Sequence, residues 1–296
     1  MNTTLLKMEC LTDLHVDSGE SNYNIIDNEV QKDLNGNPTV HSSGIKGAMR
    51  EYFSKRLDND NNDNIEKLFG KPSTADTADG GGLYKFFDAK FIARPLRLAG
   101  SVHPSVLVTT VPALNDMLYL LDCFNCNPFG IHELRFPNFG KNNFLVTTNF
   151  SSEAEIKVEG EPTGILSSAE EAEFLKLGQF LGKRFAIAKE LDPSRYPLPV
   201  TARNKVGDDN NLWYEEVVPA KSVFFTLILS PEPNLELDFA RHSIIQFGGN
   251  ASIGRGFPCL RHRTEARNEQ ACGRLMVKYS LQCHRKMRHF GNTKRG

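Results

Sequence analysis

Residues 244–257 read IIQFGGNASIGRGF, an apolar run followed by a loop that contains Gly248, Gly249, Gly254 and Gly256. Glycine lets the backbone take positive φ angles and lets another backbone or a ligand approach closely, at a cost of roughly 0.5–1 kcal/mol relative to alanine. The cluster therefore indicates either a plain turn between strands or a loop that holds a ligand.

The glycine spacing does not match the two common mononucleotide-binding loops. The dinucleotide fingerprint needs G-x-G-x-x-G at the start of a helix, and the triphosphate loop needs G-x-x-x-x-G-K-[ST]. Gly249 and Gly254 have the spacing of the second loop, but Arg255 stands where lysine is required. A glycine-rich turn and a loop that lies against a polymer backbone both remain.

Charge is unevenly distributed along the chain. The 296 residues include 35 Lys and Arg against 36 Asp and Glu, for a net charge of −1. Residues 261–296 hold ten Lys or Arg and two Asp or Glu, so this tail carries +8 and the preceding 260 residues carry −9. A basic tail suits contact with nucleic acid or an acidic protein, and it equally suits a solvated end.

The chain lacks the signals of a membrane or secreted protein. It has no run of eighteen apolar residues, and MNTTLLKMECLT has no signal-peptide pattern, which predicts a cytoplasmic protein without a membrane partner. The six cysteines then read as reduced thiols. Cys123 and Cys126 form a single C-x-x-C without a second pair, which argues against a zinc site.

The N-terminal half predicts a strand, a hairpin and a helix. Apolar residues at every second position of 6–10 predict a strand. IIDNEVQK and PTVHS flank a turn at 33–37, as in a hairpin. In SGIKGAMREYFSKRL, residues 43–57, the apolar residues recur at helical spacing, and Ser42 or Ser43 is a suitable N-cap.

The C-terminal half alternates strands and helices. Strands are predicted at 84–96 and 105–111, with a helix near 112–122. A single helix is predicted over 168–191, with Ser168 and Glu171 as a capping box. VTARNKV and LWYEEVV face each other across GDDNN as a long hairpin, and strands follow at 222–229 and before the glycine loop. This order favours an α+β domain built on an antiparallel sheet.

A second anion site is predicted where HSSGIKG enters the first helix. Unpaired N–H groups and the positive end of the dipole attract phosphate there, and Lys46 and Arg50 lie together on one face nearby. A plain capped helix with two solvated cations fits the segment equally well. Two glycine-bearing sites without a mononucleotide fingerprint favour a polymer, with one site for each phosphate.

Catalytic patterns are weak. HSSG is not the G-x-S-x-G nucleophile elbow. Acid–base candidates are scattered before and within the first hairpin, and residues of these types are more often surface than catalytic groups: His15, Asp17, Glu20, Asp27, Glu29 and Asp33.

Several segments in order resemble one protein family. HSSGIKGAMREYF and IQFGGNASIGRGF resemble the two signatures of the RAMP superfamily of CRISPR proteins. IIDNEVQKD, LFG, FFDAKFIARPLR and NLWYEEVVPAKSVFF extend the resemblance over roughly residues 5–260, and they are most similar to the repeating backbone subunit of type III-B effector complexes. The resemblance implies an α+β fold with a ferredoxin-like (RRM-like) core over 1–260, loop insertions, an inserted thumb hairpin at about 199–219 and a basic extension over 261–296.

The resemblance also implies a function. Such a subunit binds CRISPR RNA (crRNA) in a filament of its own copies, together with other type III-B CRISPR subunits. It cuts complementary target RNA about every sixth nucleotide, where the thumb wedges into the duplex. Asp27, His15 and Glu215 (or its neighbour Glu216) match positions at the cut site, and Asp27 would bind Mg²⁺ or Mn²⁺ weakly.

The implied RNA contacts lie in both signatures: Ser43, Lys46, Gly47, Arg50, Gly248, Gly249, Gly254, Arg255 and Gly256. Two other interpretations remain open. One is a structural crRNA-binding subunit without nuclease activity. The other is a stand-alone glycine-rich enzyme that binds mononucleotides.

Overall fold

The structure, a computed structural model, describes residues 2–19, 26–55, 62–71, 81–150, 155–205, 211–231 and 243–262. The basic tail from residue 263 onward and most of the predicted loops at 58–64 and 73–82 lie outside these residues.

The described residues form helices and strands in alternation. The helices are α1 (Ser42–Ser54), α2 (Asn62–Phe69), α3 (Val111–Cys123), α4 (Ser168–Leu175) and α5 (Gly178–Leu181). The first seven strands are β1 (Asn2–Cys10), β2 (Thr39–Val40), β3 (Lys85–Phe86), β4 (Ala89–Ala99), β5 (Ser105–Thr110), β6 (Phe144–Val146) and β7 (Lys157–Val158). The others are β8 (Glu161–Ile165), β9 (Phe185–Ala188), β10 (Val200–Lys205), β11 (Asn211–Glu216), β12 (Val223–Ser230), β13 (Ser243–Ile244) and β14 (Pro258–His262). Within the described part, no helix combines the length and apolar character that a membrane crossing needs.

Most strands belong to one large sheet. Its main order is β13-β14-β1-β12-β4-β5-β9-β6-β8-β7, and β2 and β3 pair with β4 and β12. In the order β14-β1-β12-β4, each strand pairs antiparallel with the next. α1 lies in the connection from β1 to β4. This part of the sheet brings the glycine loop, which precedes β14, next to the segment that follows β1.

Helices cover both faces of this sheet. α1 buries Ile45, Met49 and Phe53 in a cluster with Leu6 and Met8 of β1. α3, α4 and α5 contribute to a second cluster on the other face of the sheet. It contains Leu5 of β1 and the buried residues of β12 that point away from α1. Burial of each large apolar side chain contributes about 1.5–3 kcal/mol, so the alternation along β1 fixes which side chain faces which helix layer.

The far half of the sheet closes on itself. β7 pairs with β8 and also with the end of β4, where Leu98 lies opposite Val158. The strands β4, β5, β9, β6, β8 and β7 therefore form a continuous circuit of pairing. A third apolar cluster draws side chains from these strands, among them Val108, Phe144 and Ala186.

Three predictions about helices are wrong. The predicted helix over 168–191 is two short helices followed by β9, because the apolar residues Phe185–Ala188 are all buried in a strand that pairs with β5 and β6. Its capping box consists of Ser167 and Glu170, one residue before the predicted pair. At α1 the N-cap residue is His41, without a side-chain cap, and Ser42 and Ser43 lie inside the helix.

The predicted long hairpin is present as β10 and β11, which form a separate two-stranded sheet. The strands predicted at 6–10 and 222–229 and the helix near 112–122 are confirmed as β1, β12 and α3. The hairpin predicted around the turn at 33–37 is reduced to a single antiparallel bridge between Lys32 and Pro38.

Candidate nucleic-acid interface

Asp27 is fixed to β11 by three hydrogen bonds. The N–H groups of Asp27 and Asn28 both donate to the carbonyl oxygen of Tyr214, each at 3.1 Å. The N–H of Tyr214 donates in return to Asp27 Oδ2 at 2.7 Å. The Asp27 side chain is exposed, and Oδ1 has no hydrogen-bond partner among the described residues. Oδ1 is therefore the carboxylate oxygen that is open to a ligand.

Glu215, the next residue along β11, is enclosed by four donors. Trp213 Nε1 donates to Oε1 at 2.8 Å, and Arg203 Nη1 of β10 donates to Oε2 at 3.2 Å. The glycine loop supplies two more donors to Oε2, Asn250 Nδ2 at 3.1 Å and Arg255 Nη1 at 2.9 Å. Glu215 is 4% exposed, so its carboxylate joins the hairpin to the glycine loop. Its catalytic role stays a prediction.

His15 lies beside the same loop. The residue is 4% exposed, and its ring Nδ1 lies 2.7 Å from the carbonyl oxygen of Glu216. Because a carbonyl oxygen accepts, Nδ1 carries the hydrogen in this contact. The carbonyl oxygen of His15 accepts from the N–H of Gly249 at 3.1 Å. His15 therefore links the segment after β1 to both the hairpin and the glycine loop.

Close contacts with backbone carbonyl oxygens require glycine at two of the four positions. Gly248 has φ +70, and a Cβ there would lie 2.0 Å from the carbonyl oxygen of His15. Gly256 has φ +76, and a Cβ would lie 2.0 Å from the carbonyl oxygen of Phe247. At Gly249 and Gly254 a Cβ would meet nothing within 4 Å. Close packing therefore explains Gly248 and Gly256. Gly254 has open space around it but a φ of +81, which also favours glycine, whereas at Gly249 neither the space nor the backbone requires glycine.

The start of α1 is occupied by an acidic side chain. Asp88, in the turn between β3 and β4, accepts from the N–H of Ser42 through Oδ1 at 2.7 Å. A carboxylate at this end of a helix is stabilised by the same N–H groups and dipole that attract phosphate. The first N–H group of α1 is therefore already bonded and is not available to a phosphate. An RNA contact on this helix would come from its side chains.

The predicted cations of α1 form no hydrogen bond or ion pair with Asp27 in the described part of the chain. Lys46 and Arg50 are half-buried, Ser43 and Gly47 are exposed, and neither cation forms an ion pair with a described residue. The hydrogen bonds and ion pairs of the described chain do not connect Lys46 or Arg50 to Glu215 or Asp27.

The hairpin presents an exposed apolar face. In its register Ala202 lies opposite Tyr214 and Asn204 opposite Leu212, so these side chains and Val200 share one face. Leu212 is 58% exposed, and Val200 and Tyr214 are also exposed. On the other face the Arg203 guanidinium lies over the Trp213 ring at 5.6 Å. Exposed apolar groups on a hairpin outside the main sheet are typical of a surface that contacts a partner.

The structure thus brings three predicted parts together: Asp27, His15 with Glu215, and the glycine loop with Arg255. We call Asp27, His15, Glu215, Asn250 and Arg255 the hairpin-root cluster. Sequence reasoning missed the anchoring roles of Arg203, Trp213 and Asn250. The stretch LWYEE offered one usable signal, since two successive acidic residues at the end of a strand must point to opposite faces.

The hairpin-root cluster offers little to a metal ion. Among the described residues, no group of three or more His, Cys, Asp or Glu side chains is placed to hold one. Mg²⁺ keeps several waters and is commonly held by one or two carboxylates together with phosphate oxygens. Asp27 Oδ1 would serve such an ion as a single protein ligand, and the other ligands would come from outside the hairpin-root cluster.

A cavity of about 80 Å³ lies at the root of the hairpin and is lined in part by Lys32, Arg94 and Glu216. Burial lowers the pKa of Arg94 from its ordinary value, although the charges of Glu159 and Glu216 oppose this, and its Nη1 donates to the carbonyl oxygen of Pro197 at 3.2 Å. Pockets for small-molecule ligands usually measure about 300–1,000 Å³. This cavity therefore gives no support to a mononucleotide site.

Comparisons with known proteins identify relatives along nearly the whole chain. The CRISPR system Cmr endoribonuclease Cmr4 of Pyrococcus furiosus is 26% identical over 283 residues, covering 87% of this chain and 94% of the relative. The CRISPR system CMR subunit Cmr4 of Saccharolobus solfataricus is 25% identical over 299 residues, covering 86% and 94%.

Solved structures share the fold. A chain of the type III-B Cmr-beta complex bound to cognate target RNA matches with a TM-score of 0.68 at 22% identity, over 88% of this chain and 97% of that chain. A crystal structure of Cmr4 matches with a TM-score of 0.63 at 19% identity, over 88% and 99%. The RAMP superfamily model matches residues 7–259, and the chain therefore belongs to the RAMP superfamily.

Proposed function

We propose that this protein is the repeating backbone subunit of a type III-B CRISPR effector complex. In this proposal it binds crRNA along a filament of its own copies, assembles with other subunits of that complex, and cleaves complementary target RNA about every sixth nucleotide. The names of the two Cmr4 relatives, which match along 94% of their lengths, support this function. The structural observation that carries it is the attachment of Asp27 to the hairpin at Tyr214.

The strand order supports a ferredoxin-like core. The order β14-β1-β12-β4, with α1 between the first and second of these strands in the chain, is the order of a split βαβ unit. Residues 232–242 of the connection between β12 and β14 lie outside the described residues, so the second helix of such a core is part of the proposal.

The hairpin is the proposed thumb. It stands outside the main sheet and exposes Leu212, Tyr214 and Val200 on one face. Aromatic and apolar side chains can stack on an unpaired base and can wedge between bases. Because Asp27 is bonded to the backbone of Tyr214, a nucleotide displaced by this face would lie next to the Asp27 carboxylate.

The RNA backbone would follow the two glycine-bearing surfaces. Gly249 and Gly254 leave open space at the glycine loop, where the Arg255 charge is paired with Glu215 at 2.9 Å. Lys46 and Arg50 add charge on α1, with Ser43 and Gly47 exposed beside them. Such contacts bind the sugar-phosphate chain without reading sequence, as a guide-binding subunit requires.

Cleavage would proceed by attack of the target's own 2′-hydroxyl. The 2′-oxygen forms a bond to the adjacent phosphorus, the bond from phosphorus to the 5′-oxygen breaks, and the proton of the 2′-hydroxyl is lost while the 5′-oxygen gains one. The products are a 2′,3′-cyclic phosphate and a 5′-hydroxyl. An A-form duplex forbids the in-line geometry, and alignment of well-oriented groups is worth roughly 7–11 kcal/mol at its limit.

Asp27 supplies the chemical group nearest to this step. Its Oδ2 is engaged by Tyr214, so Oδ1 faces the reacting phosphate. Held through Oδ1, Mg²⁺ or Mn²⁺ would supply positive charge to the phosphate oxygens. Without that role, Oδ1 is placed to accept the proton of the 2′-hydroxyl. We favour the first role because a single exposed carboxylate with one open oxygen suits an ion shared with RNA.

One purification tests the proposed function. The native assembly is isolated from its host, its RNA is extracted, and the complex is incubated with RNA complementary to the extracted guide. We expect a short RNA to copurify and the complementary strand to be cut at regular steps. A protein that purifies as an RNA-free monomer, or one that binds mononucleotides and ignores RNA, would contradict the proposal.

A structural subunit without nuclease activity is the second candidate. The burial of His15 and Glu215 favours it, because both side chains are engaged within the protein. The same assembly distinguishes the two candidates. Guide binding without any cleavage of complementary RNA, in the presence of Mg²⁺ or Mn²⁺, would establish the structural role.

A further inference from the structure

Glu216 faces away from Glu215 and contacts the segment that carries Asp27. The residue is 5% exposed. Its Oε2 accepts from the N–H of Val30 at 3.2 Å and lies 2.9 Å from Lys32 Nζ. Its own N–H donates to the carbonyl oxygen of Asn28 at 2.9 Å. Both the backbone and the carboxylate of Glu216 therefore hold residues 28–32.

This segment lacks a regular strand ladder. Its bridges to other parts of the chain are isolated ones, between Asp17 and Val30, between Asn28 and Glu215, and between Lys32 and Pro38. A ladder would spread the placement of the backbone over many hydrogen bonds. Backbone bonds from Ser18 and to Val16 hold Glu29 and Gln31 on one side, and on the hairpin side the bonds nearest to Asp27 come from Tyr214 and Glu216. The placement of Asp27 against the hairpin therefore depends on these last two residues.

Glu216 and Lys32 form an ion pair at 2.9 Å, in which the carboxylate is buried and the ammonium group is partly exposed. Burial lowers the pKa of Lys32, but the hydrogen bond and charge of Glu216, together with the charge and hydrogen bond of Glu29, outweigh this and raise the pKa above its ordinary value. The Glu216 carboxylate is almost fully buried. Loss of Lys32 would leave the buried Glu216 carboxylate without its ion-pair partner, which costs more than an exposed pair contributes. Loss of Glu216 would leave Lys32 with its second ion pair, to Glu29 at 3.3 Å.

We propose that Glu216 is a positioning residue for the cleavage reaction. Its buried carboxylate fixes the segment of Asn28, Val30 and Lys32 against the hairpin, so that Asp27 Oδ1 faces the reacting phosphate. The inference rests on the proposed RNA-cleaving function, and it assigns to Glu216 no contact with RNA. A displacement of about 1 Å at a reacting group can cost about 100-fold in rate, so loosening this segment slows cleavage without weakening RNA binding.

The test compares two variants with a matched control in the assembled complex. Glu216→Gln removes the negative charge of the ion pair, and Lys32→Met removes the positive charge. Glu171→Gln is the control. Glu171 lies on α4, outside the hairpin, and like Glu216 it is 5% exposed. It also accepts a hydrogen bond from a backbone N–H, that of Thr148, at 2.9 Å. Guide content, target affinity and the cleavage rate at saturating target are measured for each complex.

We expect both variants to lower the cleavage rate about 10- to 100-fold with guide content and target affinity unchanged, and the control to behave as wild type. The double variant should lose no more than the larger single loss, because both changes remove one interaction. If Glu216→Gln fails to assemble, Lys32→Met carries the test, since the Lys32 side chain is 29% exposed.

Three outcomes overturn the inference. Cleavage at the wild-type rate in both variants, with Asp27→Ala inactive in parallel, would reject the positioning role and leave the proposed function intact. A parallel fall of assembly, target affinity and rate in both variants would show a general structural role instead. Normal cleavage by Asp27→Ala would reject the proposed function of Asp27 itself, and the inference with it.

Discussion

The main-chain N–H of Tyr214 donates to Asp27 Oδ2 at 2.7 Å, although 187 positions of the chain separate the two residues. The bond ties a carboxylate near the N-terminus to the exposed face of a hairpin near the C-terminus. It also leaves the two carboxylate oxygens unequal, since Oδ2 is engaged and Oδ1 faces outward. A substitution at Asp27 can therefore keep the hydrogen bond from Tyr214, which positions the side chain, while it removes the negative charge.

Asp27→Asn should abolish cleavage while target binding persists. The amide oxygen can still accept from the Tyr214 N–H, so the segment keeps its position, but the negative charge is lost. We expect the cleavage rate to fall by at least about 100-fold, the lower range for loss of an acid–base group. Gel-shift and cleavage assays on the same complex measure both quantities. Asp116→Asn, on the exposed face of α3, is the control. A fully active Asp27→Asn complex would remove Asp27 from the mechanism.

Neighbouring glycines should respond differently to alanine. At Gly248 a Cβ would lie 2.0 Å from the His15 carbonyl oxygen at a φ of +70, so Gly248→Ala should lower the free energy of unfolding by more than about 1 kcal/mol. At Gly249 a Cβ meets open space, so Gly249→Ala should keep the thermal midpoint and weaken crRNA binding. Thermal unfolding and guide-binding assays measure the two effects. Unchanged guide binding in Gly249→Ala would place the RNA away from this loop.

The glycine loop also shows how far the sequence alone can reach. The cluster correctly drew attention to 248–256, but Gly248 and Gly256 are required by contacts with carbonyl oxygens of His15 and Phe247. Sequence spacing does not reveal such contacts, because His15 is more than two hundred residues away. A glycine that fits a ligand and a glycine that fits a distant backbone look the same in a sequence.

Local periodicity failed where tertiary pairing decided the structure. Phe185 and Ala188 continue the helical spacing of α4, yet they lie in β9, where all four residues are buried between β5 and β6. Likewise, Ser42 and Ser43 are good N-cap residues, but Asp88 reaches the first N–H of α1 from another turn. Strands with clear alternation, such as β1, could be predicted because the alternation itself fixes the buried face.

Loss of charge on α1 should reduce the salt dependence of guide binding. Lys46→Ala and Arg50→Ala each remove a half-buried cation without an ion-pair partner among the described residues. If each contacts one phosphate, the slope of log affinity against log salt should become shallower by about 0.7 per substitution, the value for single strands. Lys55→Ala, at the C-cap of the same helix, is the control, because Lys55 is paired with Glu51 at 2.6 Å. Equal slopes in all three variants would reject the phosphate contacts.

Tyr214→Ala should slow cleavage through loss of the exposed ring. The backbone of residue 214, which holds Asp27, is unchanged by this substitution, whereas the ring on the apolar face of the hairpin is removed. Stacking of one base on an aromatic ring is worth about 1–3 kcal/mol, so a comparable loss is expected in target affinity or cleavage rate. Tyr119→Ala, which removes a 71% exposed ring from α3, is the matched control. If both variants cleave like the wild type, the hairpin face does not touch the target.

Removal of divalent ions should stop cleavage and leave the target bound. The described residues present one open carboxylate oxygen at the hairpin root, Asp27 Oδ1, so an ion there would depend on RNA phosphates and water for its other ligands. Such an ion exchanges readily, and chelation should act within the time of the assay. Addition of Mg²⁺ or Mn²⁺ should restore cleavage in the wild type but not in Asp27→Asn. Cleavage that continues at full rate in excess chelator would leave Asp27 as a proton acceptor rather than a metal ligand.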